Sequence, residues 1–296
     1  MTKFQDLNLS NAFLFAATAQ DPEACRVILQ SVLEREISQV NVHAEHTVLF
    51  SSEYRMIRLD VYGEDELNVQ YNIEMQNQNK GNLLKRARYH HAQMDVTSLK
   101  PGEDFSQLPP SYVIFICTFD PFGEGLYRYT ITHHCGEVDI PVSDGTCTIF
   151  FNTKGKNVAC VSEELREFLA YFENSTDEFV KESKATGVKL LHEKVKQVKQ
   201  DATLEARYMT VEEWMREREE EMIERVTAEA TAQGMAQGMA QGMAQALLNI
   251  LSSKFEVSEE IREKIQCQSD VSVLEEWVIL AVNTTSIEEF ISQSTI

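Results

Sequence analysis

Two short segments with alternating polarity most constrain what this chain can fold into. Residues 56–62 (Met-Ile-Arg-Leu-Asp-Val-Tyr) and 71–76 (Tyr-Asn-Ile-Glu-Met-Gln) carry apolar side chains at their odd positions. A period of two is typical of half-buried β-strands. If the two strands form a hairpin, the odd positions share one core and Asp60, Glu74 and Gln76 share the opposite face. The alternation predicts that this opposite face is exposed.

The shared polar face would bring two carboxylates and one amide together. Hard divalent cations such as Mg²⁺ prefer oxygen ligands of this kind and keep bound waters for chemistry. The pattern is weak by itself, because acidic residues are common on exposed strand faces. The pattern alone is therefore compatible with two interpretations of this face, a solvated hairpin surface and a metal site.

Further motifs stand in a specific order around these strands. They are residues 58–62 (Arg-Leu-Asp-Val-Tyr), 72–76 (Asn-Ile-Glu-Met-Gln), 85–89 (Lys-Arg-Ala-Arg-Tyr) and 112–117 (Tyr-Val-Ile-Phe-Ile-Cys), continued by 144–145 (Asp-Gly) and 151–153 (Phe-Asn-Thr). In these motifs the chain resembles the recombination-promoting nucleases, a family of PD-(D/E)xK nuclease transposases. The resemblance covers most of residues 1–175.

The resemblance implies a fold, an activity and a set of site residues. The fold is a restriction-endonuclease-like α/β core, a mixed sheet flanked by helices, and the activity is DNA endonuclease cleavage that depends on Mg²⁺ or Mn²⁺. Asp60 and Glu74 would hold the metal, together with the backbone carbonyl of Met75. Gln76 stands where other nuclease branches carry a lysine, and it would orient the attacking water. Asp60, Glu74 and Gln76 are thus the expected catalytic residues, and a link to recombination or mobile elements is implied.

Three positions depart from the family pattern. Asn11 occupies an N-terminal helix position that is usually acidic, and it can offer a carbonyl oxygen but no charge. The paired tyrosines expected after the arginines appear as Tyr89 and His90. Gln76 in place of lysine removes a cation that could activate water.

A local cationic patch follows the second strand. Its basic residues are Lys80, Lys85, Arg86 and Arg88, with no acid between residues 80 and 88. The pattern predicts a helix over residues 81–96 with Lys85 and Arg88 near one face, where they could contact a DNA phosphate. Arg86 and Tyr89 are weaker candidates for the same contact. A solvated helix surface is the alternative for the patch, and a core anchor is the favoured alternative for Tyr89.

Charge and hydropathy bound the function classes. The 296-residue chain has a net charge of −20 and a hydrophobic content of 43%, which supports a real core. The negative charge argues against simple coating of nucleic acid, because phosphate binding draws on Lys and Arg. The sequence has no run of eighteen apolar residues and no secretory pattern at its start, so we expect a cytoplasmic protein that does not enter a membrane.

The order of segments predicts four regions. Residues 1–175 form the nuclease-like domain, with the order helix, three strands, helix, strand. Residues 176–231 form a charged helical region, residues 232–245 a linker with a repeated Ala-Gln-Gly-Met unit, and residues 246–296 a small helical module. Each repeat glycine costs roughly 1 kcal/mol of helix propensity, so a helix there is predicted to be weak. A binding surface of methionines is the less favoured interpretation of the repeat.

A second class of function competes with the nuclease. The chain could be an interaction or regulatory protein that keeps the fold but has lost efficient cleavage, as Asn11 and the acidic C-terminal half indicate. Its helical C-terminal region would then bind a protein partner or a second copy of the chain. A complete transposase is the weakest interpretation, since no separate DNA-binding module is visible.

Overall fold

The computed structural model describes residues 2–43, 61–138, 140–294 and 296. The chain divides into two compact units, Met1–Thr210 and Val211–Ile296. Asp60 lies outside the described residues, as do residues 44–59, so the strand predicted over residues 56–62 is described only from Val61 onward.

The first unit mixes helices and strands. Its helices are α1 (Ala12–Ala19), α2 (Pro22–Leu33), α3 (Leu83–Ser98), α4 (Glu163–Glu173), α5 (Asp177–Glu182) and α6 (Thr186–Lys199). Its described strands are β1 (Val40–Val42), β2 (Val61–Asp65), β3 (Gln70–Gln76), β4 (Ser111–Cys117), β5 (Arg128–Ile131), β6 (His133–His134), β7 (Pro141–Val142) and β8 (Thr146–Asn152). The predicted order of helix, three strands, helix and strand is confirmed by α2 to β4.

Six of these strands form one mixed sheet in the order β1-β2-β3-β4-β8-β5. β1, β2 and β3 run antiparallel, β3, β4 and β8 run parallel, and β5 pairs antiparallel with β8. The backbone of Val61 pairs with that of Ile73, so odd positions of the two strands do share a face. The predicted α/β class with a mixed sheet is thereby confirmed. β6 and β7 form a separate two-stranded hairpin.

Helices cover both faces of the sheet. The odd positions of β3 pack into the main core with residues of α1, α2, α4 and α6, while α3 packs with β4 and β8 on the opposite face. The prediction that the even face is exposed is therefore wrong. Glu74 is only 1% exposed, because a central strand of a parallel segment is covered on both sides.

Two helix starts follow local capping rules. Asp21 caps α2 by accepting the N–H of Ala24 at 2.9 Å, and Pro22 occupies the first turn. Asn11 caps α1, since its side-chain oxygen accepts the N–H groups of Phe13 and Leu14. Both helices are thus anchored where the chain enters the layer that packs on the odd face of β3.

The second unit is helical. Helix α7 (Ala202–Lys254) passes the boundary between the units, and α8 (Glu259–Cys267), α9 (Val271–Asn283) and α10 (Ile287–Ser294) follow. Trp277 and Phe290 lie in its buried core. The repeat lies inside α7, and a Cβ added at Gly234, Gly238 or Gly242 would meet nothing within 4 Å. The four-region division stays a prediction.

Candidate active site

The candidate site lies at the carboxyl end of β3. Glu74 and Gln76 point to the same face of this strand, and their backbones stand in register with Phe115 and Cys117 of the parallel strand β4. The chain then turns into α3, whose first residues cover that face. The order strand, short loop and helix therefore fixes Glu74 beneath α3.

The carboxylate of Glu74 is held by side chains from β3 and α3. Its Oε2 accepts a hydrogen bond from Nε2 of Gln76 at 3.0 Å and forms an ion pair with Nη2 of Arg86. Its Oε1 contacts Nε2 of His90. A buried carboxylate requires such partners, because an unpaired charge away from water is strongly unfavourable.

Arg86 is fixed by three different groups. Besides the ion pair with Glu74, its Nη1 donates to Oε1 of Gln76 at 3.0 Å. Its guanidinium carbon lies 5.8 Å from the centre of the Phe115 ring, within range of a cation–π interaction. The forked geometry of the guanidinium lets it contact the carboxylate and the amide together.

The cationic patch divides into an inner and an outer part. Arg86 and His90, four residues apart on α3, face Glu74, whereas Lys85 and Arg88 are exposed. Tyr89 is 56% exposed, so the interpretation of Tyr89 as a core anchor is wrong. The sequence pattern predicts a phosphate contact for Arg86 and indicates no role for His90. The i, i+4 spacing of these two residues, on the face marked by the buried Ala87 and Met94, was the signal that would have revealed them.

The start of α1 lies beside the end of β3. The side chain of Asn77, which follows Gln76, donates to the backbone carbonyl of Ser10 at 2.7 Å. Asn11 is the next residue, but its side-chain oxygen is engaged in capping α1. The position that is usually acidic in the resembling family therefore lies near the site and serves here in local structure.

His91 fastens α3 to two strands of the sheet. Its Nδ1 lies 2.8 Å from Oγ of Ser111 and its Nε2 lies 3.0 Å from Oγ1 of Thr148, at the starts of β4 and β8. Burial lowers the pKa of His91 to about 4, although the charge of Asp144 opposes this shift. The neutral imidazole thus bridges two hydroxyl groups and holds α3 over the sheet.

The donor atoms around Glu74 match a hard cation in their chemistry. Carboxylate and amide oxygens of Glu74 and Gln76 are ligands that Mg²⁺ and Mn²⁺ accept. Within the described part of the chain, no group of three or more His, Cys, Asp or Glu residues could hold a metal ion. Glu74 is an acid that the described residues place at this point, and the expected second acid, Asp60, lies outside the described residues. Elsewhere in the first unit, the side chain of His133 contacts that of Asp144, with Nδ1 and Oδ2 2.9 Å apart.

The mixed sheet flanked by helices fits the α/β core expected of a PD-(D/E)XK nuclease. Residues 13–140 match the family model described as PD-(D/E)XK nuclease family transposase. This match confirms the resemblance and suggests a nuclease-like role for the matched segment. Comparison with curated proteins found no match, and neither did comparison with solved structures. None of the described helices is long and apolar enough to span a bilayer.

Proposed function

We propose that this protein is a DNA endonuclease that requires Mg²⁺ or Mn²⁺. The observation that carries the proposal is a buried Glu74 beside Gln76 on the central strand β3, inside a segment that matches a nuclease family. Asp60, Glu74 and the backbone carbonyl of Met75 hold the metal in this proposal. When bound, the metal polarises the phosphodiester and acidifies a water molecule.

The place of Asp60 in the proposal rests on the strand register. Asp60 directly precedes Val61, and Val61 pairs with Ile73, the neighbour of Glu74. Gln76 orients the attacking water through its amide, which both donates and accepts hydrogen bonds. It is less buried than Glu74, as a group that contacts both the carboxylate and a solvent-derived water must be.

In this proposal the outer part of the cationic patch, Lys85 and Arg88, contacts the DNA backbone. Lys85 and Arg88 are exposed on α3, whereas the side chain of Arg86 points inward and contacts Glu74. Tyr89 lies beside them and offers an exposed ring. Lysine and arginine bind phosphate without reading sequence, so we propose cleavage with little base preference from this helix.

Plasmid cleavage tests the proposal. Supercoiled and single-stranded DNA are incubated with the wild type, Asp60→Ala and Glu74→Gln, in Mg²⁺, in Mn²⁺ and in chelator. We expect metal-dependent nicking that both substitutions abolish. Glu64→Gln is the matched control, because Glu64 is a partly exposed acid of the neighbouring strand β2. Nicking that survives Glu74→Gln, or its absence in every metal, contradicts the proposal.

An interaction module is the second candidate. It is favoured by the pairing of Glu74 with Arg86 and His90, because this pairing stabilises a site without metal. In this case the helical region of residues 200–296 binds a protein partner or a second copy of the chain. Calorimetry separates the candidates. Absence of Glu74-dependent metal binding, together with copurification of a partner through residues 200–296, favours the interaction module.

The proposed link to recombination and the proposed cytoplasmic location rest on the sequence alone.

A further inference from the structure

We infer that the guanidinium of Arg86 is a built-in counter-ion that occupies Glu74 in the metal-free protein and leaves it when a divalent cation binds. The inference deepens the proposed function and rests on it, since it assumes that Glu74 is a metal ligand. It assigns a positioning and regulatory role to a residue of α3 that the sequence placed only at the DNA surface.

The first step concerns the charge of Glu74. The side chain of Glu74 is 2% exposed, and that of Arg86 is 29% exposed. A carboxylate buried this far requires a compensating cation, because removing one partner of a buried ion pair leaves an uncompensated charge. Arg86 supplies that cation without any metal.

The second step concerns the oxygen atoms. Oε2 of Glu74 takes both the Gln76 amide and the Arg86 guanidinium, while Oε1 contacts His90. Oε2 would hold a divalent cation only against the repulsion of the guanidinium that already pairs with this oxygen, and like charges repel strongly in a site of low dielectric. Metal and Arg86 are therefore mutually exclusive partners of this oxygen.

The third step concerns the hold on Arg86. Its Nη1 also donates to Oε1 of Gln76, and its guanidinium packs over Phe115. Release of Arg86 thus frees the amide oxygen of Gln76 at the same moment as the carboxylate oxygen of Glu74. One side-chain movement therefore frees the carboxylate oxygen proposed to hold the metal and the amide proposed to orient the water, and Arg86 is partly exposed to solvent.

Calorimetric titration of the full chain with Mn²⁺ tests this inference without any cleavage assay. The variants are Arg86→Met, Arg86→Lys and Lys100→Met, the last being a control that removes an exposed cation just beyond the end of the same helix. We expect Arg86→Met to bind Mn²⁺ at least tenfold more tightly than the wild type, because the Arg86 guanidinium no longer has to be displaced. Lys100→Met stays within twofold, and Arg86→Lys lies between, since its ammonium cannot bridge both side chains.

Thermal unfolding gives a second readout. Without metal, Arg86→Met unfolds at a lower temperature than Lys100→Met, and Mn²⁺ raises its unfolding temperature by more. Adding Glu74→Gln to Arg86→Met removes both effects, because the negative charge that Arg86 balanced is then gone. If Arg86→Met does not fold, Arg86→Lys provides the same comparison with the same sign.

The outcomes separate this inference from the proposed function. If the wild type binds Mn²⁺ through Glu74 but Arg86→Met binds it equally or more weakly, the counter-ion inference is overturned and the metal-dependent function stands. If neither protein binds Mn²⁺ or Mg²⁺, both are overturned. Tighter binding in Arg86→Met that persists after Glu74→Gln also overturns the inference, because the effect then arises elsewhere.

Discussion

The side-chain amide of Gln76 donates to Oε2 of Glu74 over 3.0 Å, and its oxygen accepts from Nη1 of Arg86 over the same distance. Gln76 therefore connects the carboxylate to the guanidinium. Gln76→Ala removes both contacts. We expect a loss of roughly 2–3 kcal/mol in the free energy of unfolding, because both hydrogen bonds join Gln76 to a charged group.

The same substitution is expected to slow DNA cleavage roughly 100-fold, since a positioned group that orients or activates water contributes about that much. Urea unfolding and plasmid nicking measure the two effects. Gln78→Ala is the control, because Gln78 is an exposed residue just beyond β3. Equal cleavage rates for Gln76→Ala and Gln78→Ala would show that the amide takes no part in the reaction.

The cap of α1 gives a prediction about stability. Asn11→Ala leaves the N–H groups of Phe13 and Leu14 without their side-chain acceptor, so we expect unfolding to become easier by about 1 kcal/mol. Asn11→Asp keeps the acceptor and adds a negative charge at a helix start, where it is favourable. Its stability should equal or exceed that of the wild type in denaturant titration. A loss of stability in Asn11→Asp would mean that nearby acids, not the cap, govern this position.

The sequence predicted the order of the elements and the pairing of β3 with the preceding strand, but not the burial of the site. Alternation at residues 71–76 is the pattern of a strand with one wet face, yet Glu74 is buried. The pattern misled because polar residues can fill a covered face when a helix brings their partners. Those partners, Arg86 and His90, come from a segment that sequence reasoning had placed at the surface.

His91 makes the stability dependent on pH. Its pKa is lowered to about 4 in the folded protein, mainly by burial, whereas an ordinary histidine titrates near pH 6.5. The unfolded chain therefore binds a proton first as the pH falls. The stabilisation is fully present above about pH 6.5 and is lost as the pH falls toward 4.

His91→Gln tests this titration. Glutamine can still bond Ser111 or Thr148, but it does not titrate, so the stability of the variant should fall less than that of the wild type between pH 6.5 and pH 4. Denaturant unfolding at several pH values gives the difference. His134→Gln serves as the control at an exposed histidine. Parallel pH profiles for the wild type and His91→Gln would rule out the buried imidazole as the cause.

The repeat glycines are predicted to be replaceable. Gly234, Gly238 and Gly242 stand inside α7 with open space where a Cβ would point. Replacing all three by alanine should stabilise the helix by roughly 1 kcal/mol per site, seen as a higher melting temperature of the helical signal at 222 nm. Gly155→Ala is the opposite case, because its Cβ would come within 2.7 Å of the Cα of Tyr127. That variant should be destabilised.

The repeat also shows where local propensity fails. Three glycines in twelve residues predict a weak helix, yet α7 continues through them. The helix propensity of the flanking alanine, glutamine and methionine residues opposes the cost of each glycine.

The roles proposed for Asp60 and Gln76 could be predicted only through the resemblance, because two acids and an amide on neighbouring strands do not by themselves define a reaction.

The burial of Glu74 has a consequence for the speed of metal binding. A side chain with 2% exposure cannot be reached by direct encounter, so an ion must wait until the groups above it open. The association rate should therefore level off as the metal concentration rises, at a ceiling set by how often Arg86 swings away from the carboxylate. The maximum rate of metal binding would then be set by the movement of a single arginine of α3.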